Sequence, residues 1–113
     1  MSRSDEQRVA DIREAGAELA AVVSLGRTAF LQQSLCRRAA ERLLEIIGEA
    51  ANQLSEDFTA QHAEVPWRDI AALRIRLAHR YHRIDPEQVW VIASEHLPAL
   101  LRSLDDPSAG ADR

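Results

Sequence analysis

Residues 28–54 read T-A-F-L-Q-Q-S-L-C-R-R-A-A-E-R-L-L-E-I-I-G-E-A-A-N-Q-L. Leu31, Leu35, Ala39, Leu43, Ile46, Ile47, Ala50 and Leu54 recur at three- and four-residue spacing, with charged residues between them. A helix gathers such positions on one face, because its turn of about 3.6 residues aligns i, i+3, i+4 and i+7. The stretch therefore predicts one long amphipathic helix of roughly six or seven turns, capped at its start by Thr28. Gly48 lies inside it, and the missing side chain there predicts a close approach by a neighbouring helix.

The same period continues on both sides. From about Asp5 to Leu25, the residues Val9, Ile12, Gly16, Leu19 and Val23 form an apolar stripe. Ser4 is positioned to cap it, and Asp5 and Glu6 place negative charge in the first turn. Gly26 then breaks the pattern. Residues 55–65, S-E-D-F-T-A-Q-H-A-E-V, form a linker with room for a short helical turn. Pro66 suits the first position of a third helix, from about Trp67 to His82, with Ile70, Leu73, Leu77, Tyr81 and Ile84 facing the core. Asp85-Pro86-Glu87 is an N-cap, a proline and an acidic first turn, opening a fourth helix to about Leu104. Its core residues are Val89, Ile92, Ala93, Leu97, Leu100 and Leu101, and Pro98 is expected to kink it. No strand pattern or internal repeat is present. The prediction is an all-α antiparallel four-helix bundle, a single domain over residues 1–104 with a disordered tail over 105–113.

Composition narrows the chemistry. The chain has 113 residues, enough for one core but not two. All 14 basic residues are Arg, so a Schiff-base lysine or a phosphate-loop lysine is excluded. Aromatic residues make up 4%, which leaves Leu, Ile, Val and Ala to build the core. No apolar run reaches the length of a membrane span, and M-S-R-S-D-E-Q-R at the N-terminus lacks the apolar stretch of a signal peptide. The single cysteine, Cys36, cannot form an internal disulfide and reads as a small buried hydrophobe. These features together predict a cytoplasmic protein that does not engage a membrane.

Charge is unevenly placed. Residues 68–83 carry Arg68, Arg74, Arg76, Arg80 and Arg83 against Asp69 alone, whereas the chain as a whole has a net charge of −4. One positive stripe on an acidic body points to a polyanion bound at a single site. Within the stripe, Arg74-Ile75-Arg76-Leu77-Ala78-His79-Arg80-Tyr81 supplies three groups suited to cleaving RNA without a metal. A guanidinium grips a phosphate in bidentate fashion. An imidazole, with an ordinary pKa near 6.5, moves protons around neutral pH. A phenol adds a polar handle that can be modified.

Beyond this octapeptide, R-L-L-E-I-I-G-E-A at 42–50, V-P-W-R-D-I at 65–70, L-R-I-R-L-A-H-R-Y at 73–81, I-D-P-E-Q-V-W at 84–90 and L-P-A-L at 97–100 follow a familiar order. With them the chain resembles the HEPN superfamily, specifically the HepT-like toxins that are paired with MNT-type nucleotidyltransferase antitoxins. The resemblance spans about residues 30–104. One departure is Ile75, where many family members place Asn.

The resemblance implies the toxin component of a type II/VII-like toxin–antitoxin pair, a metal-independent endoribonuclease working without a cofactor. The ribose 2′-hydroxyl attacks its own 3′-phosphate, leaving a cyclic phosphate and a free 5′-hydroxyl. Arg74, His79 and Tyr81 are the implied catalytic residues: Arg74 holds the phosphate, His79 transfers protons and Tyr81 lies beside them. Tyr81 is also the implied site where the antitoxin attaches AMP, a bulky anion that would compete with RNA for Arg74. Arg76, Arg80 and Arg83 are weaker RNA-binding candidates.

Helical geometry adds a constraint. At about 100° per residue, Arg74 and Tyr81 fall within about 20° of each other, while His79 points about 140° from Arg74. One straight helix cannot converge the three, so the expected site forms either where the helix loosens near His79 or across a two-fold homodimer, which is favoured.

Other residues have plainer readings. Trp67 and Trp90 read as core anchors, and His62 and His96 as surface residues. Arg37, Arg38, Glu41, Arg42 and Glu45 suggest pairing along one helix. Glu49 stands equally well as a partner of Arg74 or as a solvated side chain. The alternative function is a non-catalytic module that docks a nucleotidyltransferase or a nucleotide; a third is a structural dimerisation domain.

Overall fold

The computed structural model describes residues 3–78 and 85–105. The described chain is all helical: α1 (Arg3–Val23), α2 (Arg27–Gln32), α3 (Ser34–Asn52), α4 (Glu56–Gln61), α5 (Trp67–Ala78), α6 (Pro86–Val91), a π turn (Ile92–His96) and α7 (Leu97–Asp105). Helix α3 is the central element, packed against α1 on one side and α5 on the other. The segment α6–π–α7 completes the bundle, and α2 and α4 are short corners. The all-α expectation holds. His79, Arg80, Tyr81, His82, Arg83 and Ile84 lie outside the described residues, as does the predicted tail beyond Asp105.

The stripe on α1 falls where its period places it, with Val9, Ile12, Ala15 and Leu19 buried. Helix is already formed at Arg3, so Ser4 sits inside it and does not cap it. Gly26 ends the turn after α1 with φ +98°, a conformation that glycine adopts without steric cost.

The predicted single helix from Thr28 is instead two. Helix α2 starts at Arg27, with no side-chain cap from its N-cap Gly26, and Gln33 interrupts the run with extended backbone, φ −106° and ψ 113°. Arg37 stabilises the corner: its Nη1 donates to the Leu31 carbonyl at 2.5 Å and the Phe30 carbonyl at 3.4 Å. These are orphan acceptors at the end of α2. Arg37 thus serves the corner rather than an i,i+4 pair. The corner turns Phe30 fully inward, where its ring meets Trp90 at 5.3 Å between centroids.

The buried face of α3 is Cys36, Ala40, Leu44, Ile47, Gly48, Ala50 and Ala51. Of the predicted stripe, Ile47 and Ala50 are buried and Leu31, Leu43, Ile46 and Leu54 pack partly buried against the core, whereas Leu35 is left 78% exposed. Full burial of side chains the size of Leu44 and Ile47 is worth about 1.5–3 kcal/mol each, so this face fixes the fold.

Asp85 caps α6 as its sequence suggests, accepting from Glu87 N at 3.0 Å ahead of Pro86, and within the expected linker Ser55 caps α4 by accepting from Phe58 N at 3.1 Å. Trp67 packs partly buried beside Phe58 and donates its Nε1–H to the His62 carbonyl at 3.0 Å. His62 is not a free surface residue, since its ring stacks at 4.8 Å from Phe58. The distortion expected at Pro98 takes the form of the π turn, which ends two residues before it. A wide turn there relieves the clash between the proline ring and the preceding carbonyl. Val89, Ala93, Leu97, Leu100 and Leu104 line its core side.

Candidate functional site

The site begins with an absent side chain. A Cβ built on Gly48 would lie 2.8 Å from the Ile70 carbonyl oxygen and 2.9 Å from the Arg74 amide nitrogen. Only glycine admits α5 this close, so the backbone of Arg74 rests directly on α3. The next residue on α3, Glu49, then reaches the arginine: Glu49 Oε1 is 3.8 Å from Arg74 Nε. Arg74 is therefore partnered, by a carboxylate that is itself half exposed. The Nε atom is buried and makes no hydrogen bond among the described residues, while about a third of the side chain stays open to solvent.

Arg74 lines a groove of about 510 Å³ running over α1, α3 and α5. Arg8 and Asp11 enter it from α1, and Arg42, Glu45 and Glu49 from α3. Arg42 and Glu45 pair at 2.5 Å, and Arg8 and Asp11 at 3.7 Å. Ile75 occupies the wall beside Arg74 and is 47% exposed. This assembly is hidden from sequence reasoning: Arg8 carries no signal, and the charges around Arg42 suggest only pairing along its own helix. The one signal that could have found it is the i, i+3, i+7 placement of Arg42, Glu45 and Glu49 around Gly48.

Arg76 faces elsewhere. Two residues along a helix turn it about 200° from Arg74. It lines a second cavity of about 520 Å³, between α5 and the π turn, whose wall includes Leu73, Ile92 and His96. Arg74 and Arg76 thus do not share one surface. Of the expected catalytic trio, the structure places Arg74; His79 and Tyr81, with Arg80 and Arg83, lie outside the described residues. Among the described residues, no group of three or more His, Cys, Asp or Glu could hold a metal ion, and no helix is long and apolar enough to cross a membrane.

Comparison with known proteins adds the family. The family model described as "Ribonuclease HepT-like" matches residues 12–106. The chain belongs to the HepT-like ribonuclease family. It is 34% identical over 104 residues to the "Probable ribonuclease HepT" of Thermococcus cleftensis, covering 88% of this chain and 92% of that protein. It is also 36% identical over 77 residues to the "Putative RNase MJ0127" of Methanocaldococcus jannaschii, covering 68% of this chain and 64% of the other. A "Putative RNase TTE0752" of Caldanaerobacter subterraneus is 34% identical over 77 residues, covering 68% and 69%. No solved structure matches the chain. The HepT-like match takes in α3, α5 and α7 and the segment carrying Arg74, His79 and Tyr81.

Proposed function

We propose that this HepT-like protein is a metal-independent endoribonuclease, the toxin of a toxin–antitoxin pair. The observation carrying this reading is Arg74: seated on α3 by the Gly48 crossing, partly open to a groove, and five residues before His79. The family's ribonuclease name and the RNase names of its relatives support RNA as the substrate.

In the proposed reaction, His79 accepts the proton of a ribose 2′-hydroxyl as that oxygen attacks the adjacent phosphorus. The 2′-oxygen–phosphorus bond forms, the bond to the 5′-oxygen of the next nucleotide breaks, and that oxygen takes up a proton. Arg74 holds the phosphate and neutralises charge that builds on its non-bridging oxygens. A positioned proton-transfer group contributes about 10²–10⁴-fold. Because His79 and Arg74 diverge by about 140° on a straight helix, the site is proposed to form between two copies of the chain. Arg80 and Arg83 add positive potential around it, whereas Arg76, the third weaker candidate, faces the second cavity. AMP transferred to Tyr81 by a nucleotidyltransferase antitoxin in the cytoplasm would set an anion against Arg74 and exclude RNA.

Cleavage of an RNA substrate by purified protein tests this. Arg74→Ala and His79→Ala are expected to lose at least about 10²-fold in rate with helicity unchanged. Equal cleavage by wild type and His79→Ala would reject catalysis and favour a docking module. Incubation with the nucleotidyltransferase and ATP is expected to add AMP to wild type but not to Tyr81→Phe.

A further inference from the structure

The proposed reaction uses Arg74 alone from its groove, yet two more arginines line the same space from two other helices. Arg8 comes from α1 and Arg42 from α3, and neither belongs to the Arg-rich segment 68–83. All three guanidiniums share a design. Each has a carboxylate neighbour: Asp11 for Arg8, Glu45 for Arg42 and Glu49 for Arg74. Each also keeps exposed surface, with the side chains of Arg8, Arg42 and Arg74 at 37%, 69% and 32%. The Nε atoms of Arg8 and Arg74 are buried without hydrogen-bond partners. The roots of these two guanidiniums are thus enclosed but leave a donor unsatisfied, while the rest of each side chain keeps exposed surface.

Magnitudes decide what that is. The Arg8–Asp11 and Arg74–Glu49 pairs, at 3.7 and 3.8 Å, are too long for hydrogen bonds. Exposed ion pairs of this kind contribute about 0–1 kcal/mol. A charge-assisted hydrogen bond contributes about 1.5–3 kcal/mol, and the guanidinium fork matches a phosphate in bidentate fashion. A phosphate entering the groove therefore displaces Asp11 and Glu49, while at Arg42, hydrogen-bonded to Glu45 at 2.5 Å through Nη1, it meets the exposed remainder of the guanidinium and competes with Glu45. A strand of nucleic acid offers several phosphates, and one groove crossing three helices offers three guanidiniums.

We infer that Arg8 and Arg42 form a flanking phosphate-binding track that holds the RNA strand beside the phosphate at Arg74. This rests on the ribonuclease reading for its ligand, single-stranded RNA. The carboxylates of Asp11 and Glu45 act as built-in competitors. They keep the groove electrically balanced until a polyanion arrives, which suits a protein with net charge −4.

The test is equilibrium binding of a fluorescein-labelled 2′-O-methyl oligonucleotide, which cannot be cleaved, to the full chain at several salt concentrations. Each phosphate contact on a single strand contributes about 0.7 to the slope of log affinity against log salt. Arg8→Gln and Arg42→Gln are each expected to reduce the slope by about that amount, with helicity unchanged. Arg42→Lys is expected to retain most of the slope, while Asp11→Asn and Glu45→Gln are expected to bind more tightly than wild type. Unchanged slopes in both Gln variants, or no binding by wild type, would overturn the inference. Cleavage by wild type alongside unchanged slopes sinks the track alone. Reduced slopes alongside no cleavage leave the track standing and sink the nuclease reading.

Discussion

Gly48 sets the geometry on which the site depends. Its neighbours across the crossing are backbone atoms, the Ile70 carbonyl and the Arg74 amide, and these cannot swing aside as a flexible side chain would. In Gly48→Ala two effects oppose each other. Alanine gains about 1 kcal/mol of helix propensity. The new methyl lies under 3 Å from two backbone atoms, and overpacking of this kind costs about 1–3 kcal/mol. The clash is expected to win, lowering the urea midpoint and separating Arg74 from Glu49. A midpoint at or above wild type would show that α5 does not depend on so close an approach. Gly48 is legible in the sequence because a glycine within a strong amphipathic period weakens its own helix, and a close crossing compensates for that loss. Glu49 is only half legible: its position places it beside the crossing, but the reach to Arg74 depends on how α5 lies.

At the scale of elements, the ends of helices decide what the sequence discloses. Asp85-Pro86-Glu87 is readable directly, since cap, ring and first-turn charge are all local. The corner at Gln33 is not, because its stabilising group, Arg37, acts through a carbonyl six residues back, and Phe30 in the same corner packs on Trp90 far along the chain. A more distant tie joins α1 to α4. Asp5 is only 2% exposed, and it accepts hydrogen bonds from Ser55 N at 2.9 Å and Ser55 Oγ at 2.7 Å. Ser55 Oγ in turn accepts from Phe58 N, so one carboxylate anchors the cap of another helix. From sequence, Asp5 has a role only at the dipole of its own helix. Removing its carboxylate leaves a backbone donor unsatisfied, at about 1–3 kcal/mol. Asp5→Ala is expected to lower the unfolding free energy by that amount, and the Asp5→Ala, Ser55→Ala double variant to lose at least about 0.5 kcal/mol less than the sum of the singles. Strict additivity in the urea cycle would remove this tie from the account.

For the whole molecule, the fold class follows from a single repeating signal, the helical period of the long segments outside the 55–65 linker and the tail, and the family match over residues 12–106 agrees with it. The break at Gln33 and the groove across three helices do not follow, because they depend on a corner and a crossing that no local window contains. Exposed ties also join distant ends: Arg13 pairs with Asp105 and donates to the Leu104 carbonyl, and Arg27 pairs with Glu87 at 2.6 Å. They link α1 to α7 and α2 to α6. The central claim is that guanidinium and imidazole alone, with no metal, drive attack by the ribose hydroxyl. Its most direct test is to digest a defined RNA with the purified protein in excess EDTA and determine both product termini. The expected products carry a 2′,3′-cyclic phosphate on one fragment and a free 5′-hydroxyl on the other, at a rate unchanged by the chelator. Cleavage abolished by EDTA, or products ending in 3′-hydroxyl and 5′-phosphate, would contradict it.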